Sequence, residues 1–515
     1  LIGQFGVGFY SAFMVADRVE VVARKAGEKH GWRWQSDGRS GFTVEEMASA
    51  PPRGTSVILH LREDAKEFLD PWRLRQVVRS YSDHIAVPIL LQGEAKADGE
   101  PKAPEQINQA SALWTRPKAE ITDEQYKEFY HHVAHAFDDP WARLHVQAEG
   151  VVSYQALLFV PATRPLDLYD PQRRHGVKLY VKRVFITDDL EGIMPRYLRF
   201  VRGVIDSEDL QLNVSRETLQ HSAVLAKIRK DLVKRLLEEL ERRAKAEDGG
   251  YDAFWEQFGA VLKEGLYEDH EQRERLLELA RFRSAARDGW VGLADYAERM
   301  KPGQDAIFTI SGEHQEAMKS SPQLEAARAK GVEVLLLADA IDEFWLQSVP
   351  DYKGKPFRSL TRGEIDLSKI EGGEGEAESA ATESALAGAE LDRLIALFKA
   401  RLGDRVHDVR PSSRLTESAV CLVADEHAMD MRLERFLKQH QQLDELSKRV
   451  LEINPKHALI RQMAARAAAA EEEQALGDLA ELLLDQARIV EGEPLPDPGG
   501  FSRRLSAFLA RGLAA

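Results

Sequence analysis

Two segments that cannot form a hydrophobic core divide this chain of 515 residues. Residues 93–112 are rich in Gly, Pro, Lys and Glu, and residues 371–390 are acidic, small and low in complexity. Segments of this composition bury too little apolar surface to offset the entropy lost on ordering. We therefore expect two linkers between three regions that have cores of their own, at 1–92, 113–370 and 391–515.

The residue pattern predicts a mixed α/β, multidomain protein. Runs rich in β-formers at 55–61, 151–160 and 178–186 favour strands, whereas helical spacing of apolar residues at 71–85 and 123–136 favours helices. Strands that alternate with helices in this way are typical of α/β domains.

The central region is expected to have three parts. A larger α/β part covers 113–223, a helical spacer covers 224–289, and a smaller α/β part covers 290–370. The C-terminal region, 391–515, is predicted to be mostly helical, with amphipathic helices near 474–489 and 501–513 whose apolar faces require a partner surface.

Composition excludes several classes of protein. The net charge of −15 disfavours nucleic acid as a partner, because nucleic-acid binders usually carry a basic surface. No apolar run approaches the roughly 18 residues that a membrane-spanning helix needs. The single cysteine, Cys421, cannot form an intramolecular disulfide or a cysteine zinc site, and we expect it to be a small buried apolar residue.

A glycine-rich motif lies at the start of the chain. Gly3, Gly6 and Gly8 precede a helix-compatible run, and such spacing can bring backbone N–H groups close to a phosphate. The motif lacks the strand and distal acidic residue of a dinucleotide fingerprint and the Lys-Ser/Thr of a P-loop. Taken alone it is equally typical of tight turns.

A histidine cluster resembles a metal site only in its spacing. His131, His132 and His135 lie on a predicted helix, but a zinc protease would need Glu at position 132 and a third ligand elsewhere. We interpret the cluster as an exposed polar helix face and assign no metal ligand.

Ordered matches along the chain carry a resemblance to a known family. The run GQFGVGFYSAF (3–13) resembles the lid-end glycine motif of the heat-shock protein 90 family of chaperones, and GTSVILHLRED (54–64) is similar to a later threonine motif of the same ATP-binding fold. DSEDLQLNVSRETLQ (206–220) resembles the catalytic loop of the family's middle domain. Stretches such as LWTRPKAEITDEQYKEFY (113–130) and LEINPKH (451–457) extend the match, and the lack of a long charged linker or a MEEVD tail is typical of the bacterial form.

The resemblance implies that residues 1–92 are an α+β remnant of a gyrase and histidine-kinase type ATP-binding domain, with ATP and Mg²⁺ as cofactors. Thr55 would bond near the adenine, although taken alone it is a β-former that opens a strand. Backbone groups of the glycine motif would contact the terminal phosphates; these residues are Gln4, Gly6, Val7, Gly8 and Phe9.

The resemblance also implies a catalytic role for Arg216, in a loop that Asn213 and Gln220 help to shape. A guanidinium supplied by another domain neutralises charge on the transferred phosphoryl group, so hydrolysis waits until the domains dock. Taken alone, Arg216 is a surface partner of Glu217 or a cap of the next helix.

The family's catalytic Glu, its magnesium-binding Asn and its Asp-x-Gly-x-Gly adenine motif all precede the lid motif, whereas this chain starts at Leu1 within that motif. Without those groups the glycine motif loses most of its binding energy and its activation of water. We therefore expect that residues are missing upstream, and that the chain by itself neither binds ATP tightly nor hydrolyses it.

The functional expectation is an ATP-driven, cytoplasmic chaperone that clamps partly folded client proteins, with co-chaperones as possible partners. It would be a homodimer joined by C-terminal helices through Leu482, Leu483, Phe508 and Leu509. A second hypothesis is a non-enzymatic holdase or adaptor that uses the middle and C-terminal regions. A third, a gyrase-like DNA enzyme, is disfavoured by the acidic charge.

Overall fold

The computed structural model describes residues 7–49, 51–93, 103–170, 173, 176–189, 192–210, 222–246, 250–371, 388–468 and 473–514. The chain divides into two compact units, Leu1–Glu239 and Leu240–Ala515. Within the described ranges, no helix is both long and apolar enough to cross a membrane.

The first unit begins with a four-stranded antiparallel sheet, which we call the N-terminal sheet. It is rich in β-branched and aromatic residues, which favour strands. A 3-10 helix, Val7–Met14, leads into it. The strands are Ala16–Arg24 (β1), Gly31–Ser36 (β2), Phe42–Met47 (β3) and Gly54–Leu61 (β4). Their order is β3-β2-β1-β4, so β3 and β4 are the outer strands.

Helix α1, Pro71–Tyr81, follows a second 3-10 helix at Glu63–Leu69. Asp70 caps it by accepting a hydrogen bond from the Trp72 backbone N–H at 2.9 Å, and a proline at the first helical position suits the cap. The sequence predicted a helix to residue 85. It ends earlier because His84 turns inward, with its Nδ1 3.0 Å from the Ser111 carbonyl oxygen.

Part of the predicted linker at 93–112 is packed. A two-stranded ribbon joins Leu90–Leu91 (β5) to Glu105–Gln106 (β6). Buried Asn108 accepts a hydrogen bond from the Ile89 backbone N–H at 2.8 Å and donates one to the Val87 carbonyl oxygen at 2.9 Å. The described residues 103–112 therefore belong structurally to the first unit, because these amide bonds replace the water that a linker would retain.

The rest of the first unit contains a five-stranded mixed sheet, which we call the middle sheet. Its strand order is β10-β9-β11-β8-β7. Helix α2, Asp123–Ala134, packs on it through a core that includes Trp114, Phe129, Tyr130 and Leu157. The strands are Pro140–Ala148 (β7), Tyr154–Pro161 (β8), Val177–Val181 (β9), Val184–Thr187 (β10) and Arg202–Asp206 (β11). Helix α3, Ala223–Lys245, follows and spans the boundary between the two units.

One predicted strand is a hairpin. Residues 178–186 were expected to form a single strand, but β9 and β10 pair in antiparallel fashion around a two-residue turn. Lys182 and Arg183 both have positive φ angles, 51° and 65°. Such turns usually carry Asn-Gly or Asp-Gly, so the sequence contains no local signal for this one.

The second unit contains a helical segment and a six-stranded sheet in the order β13-β12-β15-β14-β17-β16. The helices are Tyr251–Glu268 (α4), Arg273–Leu279 (α5), Leu293–Glu298 (α6), Gln315–Lys319 (α7), Glu325–Ala329 (α8) and Asp342–Ser348 (α9). The strands are Arg281–Ser284 (β12), Val291–Gly292 (β13), Ile307–Ser311 (β14), Leu335–Leu337 (β15), Asp351–Tyr352 (β16) and Lys355–Ser359 (β17).

The C-terminal region is helical around a small sheet, in which β20 lies parallel to β18 and antiparallel to β19. The strands are Asp408–Pro411 (β18), Val420–Val423 (β19) and Val450–Ile453 (β20). The helices are Gly388–Leu402 (α10), Met431–Gln439 (α11), Ala458–Ala468 (α12), Glu473–Val490 (α13) and Pro498–Ala514 (α14). The expectation of a mixed α/β multidomain chain with a helical C-terminal region is confirmed.

Two of the residues proposed for a contact between copies are buried inside the chain. Leu482 and Leu483 are 8% and 4% exposed, and Leu483 packs in the C-terminal core with Leu476 and Ala480 of the same helix. A side chain that has already lost its water gains nothing further from a partner. The prediction that these two leucines form an intermolecular interface is therefore wrong.

Polar contacts tie the six-stranded sheet and helix α8 to the C-terminal region of the same unit. The Glu325 carboxylate accepts hydrogen bonds from the backbone N–H groups of Thr416, Glu417 and Ser418 at 2.7 to 3.1 Å. Arg432 donates to the Leu337 and Ala338 carbonyl oxygens, both at 2.6 Å. These partners lie about ninety residues apart in the sequence, so only folding brings them together.

Glu343 in α9 is a buried carboxylate at this junction. It is 5% exposed, and within the described part of the chain its Oε1 has no hydrogen-bond partner. Burial and the neighbouring Asp430 raise its pKa to about 8, although Ser311 and Arg432 act in the opposite direction. The folded protein therefore holds this proton more tightly than the unfolded chain does.

We expect the free energy of unfolding to fall as the pH rises from about 5 to 8, because the unfolded chain releases the Glu343 proton first. Glu343→Gln should remove much of this slope and raise stability at pH 8. Urea denaturation of both proteins between pH 5 and 8.5 measures the difference. Parallel pH profiles for the two proteins would show that Glu343 is already ionised in the native state.

Candidate functional site

The described part of the glycine motif forms the start of the first 3-10 helix. The Ser11 hydroxyl donates a hydrogen bond to the Gly8 carbonyl oxygen at 2.6 Å. A Cβ atom at Gly8 would meet nothing within 4 Å, so the space beside it is open. Backbone N–H groups at a helix start are suited to phosphate. Gln4 and Gly6 lie outside the described residues, and of Val7 only the backbone is described.

Phe9 lies in the first 3-10 helix and packs on the N-terminal sheet, whereas Thr55 lies on strand β4 of that sheet. The Phe9 ring packs edge-on against Trp34 of β2, with ring centroids 5.5 Å apart. Thr55 is exposed on β4, opposite Ala23 of β1. Because β1 lies between β2 and β4, the strand on which Phe9 packs and the strand that carries Thr55 lie on either side of β1.

The three predicted catalytic-loop residues, Asn213, Arg216 and Gln220, lie outside the described residues. The residues that precede them are firmly held. Buried Asp206, at the end of β11, accepts hydrogen bonds from Trp114 Nε1 and from the Arg183 backbone N–H, both at 3.0 Å. Burial raises the pKa of this carboxyl group.

The chain that follows the loop is held on the same sheet. The Ser222 hydroxyl accepts a hydrogen bond from the Leu225 backbone N–H at 3.4 Å, at the start of α3. Asp231 of α3 accepts hydrogen bonds from the Tyr154 hydroxyl of β8 and from Arg235 Nε, the latter at 2.9 Å. The middle sheet therefore holds the described residues on both sides of positions 211–221.

Trp114 is a supporting residue that sequence reasoning did not single out. Trp114 is fully buried. Its ring centroid lies 4.7 Å from that of His84 and 4.9 Å from that of Tyr180. Its carbonyl oxygen lies 2.9 Å from His145 Nε2. The LWTRP motif contains it, but its partner Asp206 is 92 positions away, so no local pattern could identify the contact.

The histidine cluster does not form a metal site. His131 Nε2 lies 3.3 Å from Asp139 Oδ1, His132 is exposed, and His135 ends α2 with a left-handed φ of 51°. Over the residues that the structure describes, no group of three or more His, Cys, Asp or Glu could hold a metal ion. The described residues therefore supply no such cluster, and no catalytic step is assigned to them.

Comparison with known proteins identifies the family. The sequence model of the Hsp90 protein family matches residues 93–515. The chain is 57% identical over 513 residues to the chaperone protein HtpG of Paramagnetospirillum magneticum and 54% identical over 519 residues to that of Rhodospirillum rubrum, covering 81% of each relative. It is 52% identical over 511 residues to that of Roseobacter denitrificans, covering 80% of it.

In these three alignments, 99% to 100% of the present chain is matched, so the similarity includes the N-terminal sheet, the middle sheet and the C-terminal region alike. The family model alone covers well over half of the chain. This chain belongs to the Hsp90 family of molecular chaperones.

Proposed function

We propose that this chain is the client-handling part of an ATP-dependent chaperone that clamps partly folded proteins. The observation that supports it most strongly is the identity of more than half of all residues to HtpG chaperones along the whole chain. In this proposal ATP with Mg²⁺ times the clamp, and Arg216 reaches the γ-phosphate when the domains dock. Asn213 and Gln220 shape the loop that carries it.

We further propose that the 515 residues by themselves do not hydrolyse ATP. The sequence contains no Asp-x-Gly-x-Gly motif, and the described residues provide no cluster for Mg²⁺. A non-enzymatic holdase is therefore the second candidate function, and it describes the isolated chain better.

Exposed apolar side chains in two loops beside the middle sheet support client binding without nucleotide. Phe137 and Leu166 are fully exposed, at 103% and 106%. Their loops are joined because Asp138 accepts hydrogen bonds from the Thr163 backbone N–H and hydroxyl, at 3.0 and 2.9 Å. Both apolar side chains are therefore exposed in loops that a polar contact joins, and exposed apolar residues are typical of protein-binding surfaces.

The purified chain should slow the aggregation of a thermally unfolded client equally with and without ATP, and should release no phosphate above background. Light scattering and a phosphate-release assay measure these outcomes. Phe137→Asp with Leu166→Asp should weaken the protection against aggregation. Leu69→Asp, at an exposed apolar site elsewhere in the same unit, is the control and should not weaken it. ATP turnover at the rate of an intact family member would refute the holdase description.

We also propose a homodimer through the C-terminal helices, with a corrected set of contact residues. Leu505 and Leu509 of α14 are 40% and 61% exposed and lie one helical turn apart. Phe508 on the same helix is only half-buried and stays in the proposal. Apolar side chains on one exposed stripe of a helix favour association with another helix.

Leu505→Glu with Leu509→Glu should convert the dimer to a monomer in sedimentation velocity, because the substitution places charges in an interface that must lose water. Val151→Glu, at an exposed apolar site between β7 and β8, is the matched control and should remain dimeric. A dimer that persists in the double variant would contradict this assignment.

A further inference from the structure

A cavity of about 280 Å³ lies in the C-terminal region, within the second unit. Part of its lining is buried, because Leu422 and Leu484 are each 1% exposed. Lys448 and Pro494 also line it and are exposed, so the cavity opens to solvent. Sites for small molecules usually measure about 300 to 1,000 Å³. The cavity is therefore close to the size that a small organic ligand requires.

Arg449, which precedes β20, lines this cavity and has an unused hydrogen-bond donor. The residue is 4% exposed. Its Nη1 donates to Glu434 Oε2 at 2.6 Å, and its Nε donates to Glu493 Oε1 at 3.1 Å. Its Nη2 is buried, and across the described residues it has no hydrogen-bond partner. A buried N–H group without an acceptor is costly, so this nitrogen favours a ligand that brings an acceptor oxygen.

The charged side chains that line the cavity favour an anion. They are four cations and two carboxylates: Arg405, Lys448, Arg449, Arg488, Asp404 and Glu493. Lys448 Nζ lies 3.2 Å from Asp404 Oδ1, but the Asp404 side chain is fully exposed, so water weakens this pair. The lining therefore carries more positive than negative charge.

The two carboxylates that hold Arg405 and Arg488 from outside the lining are shared with a third arginine. The Glu481 carboxylate lies 3.1 Å from Arg405 Nη2 and 2.9 Å from Arg504 Nη1. The Asp485 carboxylate lies 3.6 Å from Arg488 Nη1 and 2.9 Å from Arg504 Nη2. Because each carboxylate serves more than one guanidinium group, neither fully neutralises the cation that lines the cavity.

We propose that this cavity binds a small apolar monocarboxylate. Its carboxylate accepts a hydrogen bond from Arg449 Nη2, and its apolar body packs against Leu422 and Leu484. A guanidinium group suits an oxyanion because its N–H groups are fixed in one plane. Glu493 also lines the cavity and repels additional negative charge, so a monocarboxylate is favoured over a phosphate dianion. The site does not depend on the chaperone proposal, because it shares no residue with the nucleotide, client or dimer contacts.

Ligand-observed NMR titrations of the full chain with benzoate and hexanoate test this site. These two carboxylates have a flat and a flexible apolar body, and at least one should bind saturably at one site per chain. Benzamide has the shape of benzoate without its charge, and it should bind about tenfold more weakly than benzoate, because charge-assisted hydrogen bonds are the stronger ones. Phenyl phosphate, a dianion with the same ring, should also bind more weakly than benzoate.

Two variants assign the bound carboxylate to this cavity. Arg449→Lys keeps a cation beside Glu434 and Glu493 but removes the Nη2 donor, so the affinity for the carboxylate should fall about tenfold. Lys448→Glu, at an exposed position that leaves the core intact, should lower the affinity several-fold. Arg410→Lys is the matched control, because Arg410 also binds a buried glutamate but does not line the cavity, and it should bind as the parent chain does.

Hydrogen exchange of peptides from β19, β20 and α13 confirms that each variant is folded. The absence of saturable binding by both carboxylates would overturn the proposal. Equal affinities for benzoate and benzamide, or an affinity that neither Arg449→Lys nor Lys448→Glu changes, would also overturn it. Phenyl phosphate that binds more tightly than benzoate would refute the choice of a monocarboxylate.

Discussion

Replacing Arg414 with alanine should lower the free energy of unfolding of the C-terminal region by about 3 kcal/mol, because breaking a buried ion pair leaves its carboxylate poorly compensated. Arg414 is 1% exposed, and its Nε and Nη2 lie 2.8 and 3.1 Å from the two carboxylate oxygens of Glu452. Its guanidinium also donates to the Leu360 and Gly363 carbonyl oxygens. The variant therefore also leaves buried acceptors unpaired.

Arg410 provides the matched control. Its Nη2 lies 2.9 Å from Glu452 Oε1, an oxygen that Arg414 Nη2 also contacts, but the Arg410 side chain is 19% exposed. Arg410→Ala should cost about 1 kcal/mol, because water can replace part of the lost contact. Urea denaturation monitored by hydrogen exchange of peptides from β18, β19 and β20 reports on this region specifically. Equal losses in the two variants would show that burial does not set the strength of the contact.

Replacing Lys263 with methionine should destabilise the second unit by about 3 to 5 kcal/mol at neutral pH. The Lys263 side chain is 4% exposed, and its Nζ lies 2.7 Å from Asp339 Oδ2 and 2.5 Å from Asp342 Oδ1. Asp342 is fully buried and also accepts a hydrogen bond from Trp345 Nε1 at 2.8 Å. Without the ammonium group, this buried carboxylate loses the cation whose charge stabilises it.

The loss of stability in Lys263→Met should depend on pH in a defined direction. Burial raises the pKa of Asp342, and loss of Lys263 raises it further, so the folded variant takes up a proton that the unfolded chain releases. The variant should therefore be least stable at neutral pH and recover toward pH 4 to 5. Adding Asp342→Asn should restore most of the stability at pH 7. Lys353→Met, which breaks an exposed pair with Glu278, should cost at most about 1 kcal/mol.

Family membership and the mixed α/β character followed from local sequence, because glycine spacing, β-rich runs and helical periodicity are properties of neighbouring residues. The five-part division of the chain and the roles of Arg216, Asn213 and Gln220 remain predictions. The hairpin at Lys182 and Arg183 was not predicted from the sequence, because its turn lacks the usual glycine. The packing of residues 103–112 was not predicted from the sequence. It depends on Asn108, a polar residue whose buried side-chain amide forms hydrogen bonds with Ile89 and Val87.

The sequence by itself determined which residues could serve chemistry: a glycine motif suited to phosphate, a lone cysteine that excludes cysteine zinc sites, and amphipathic C-terminal helices. Only the tertiary structure decided which of these faces are available. It buries Leu482 and Leu483 and leaves Leu505 and Leu509 exposed. The physical reason is that helical and strand periodicity mark a face as apolar, whereas the packing of distant segments determines whether that face already has a partner.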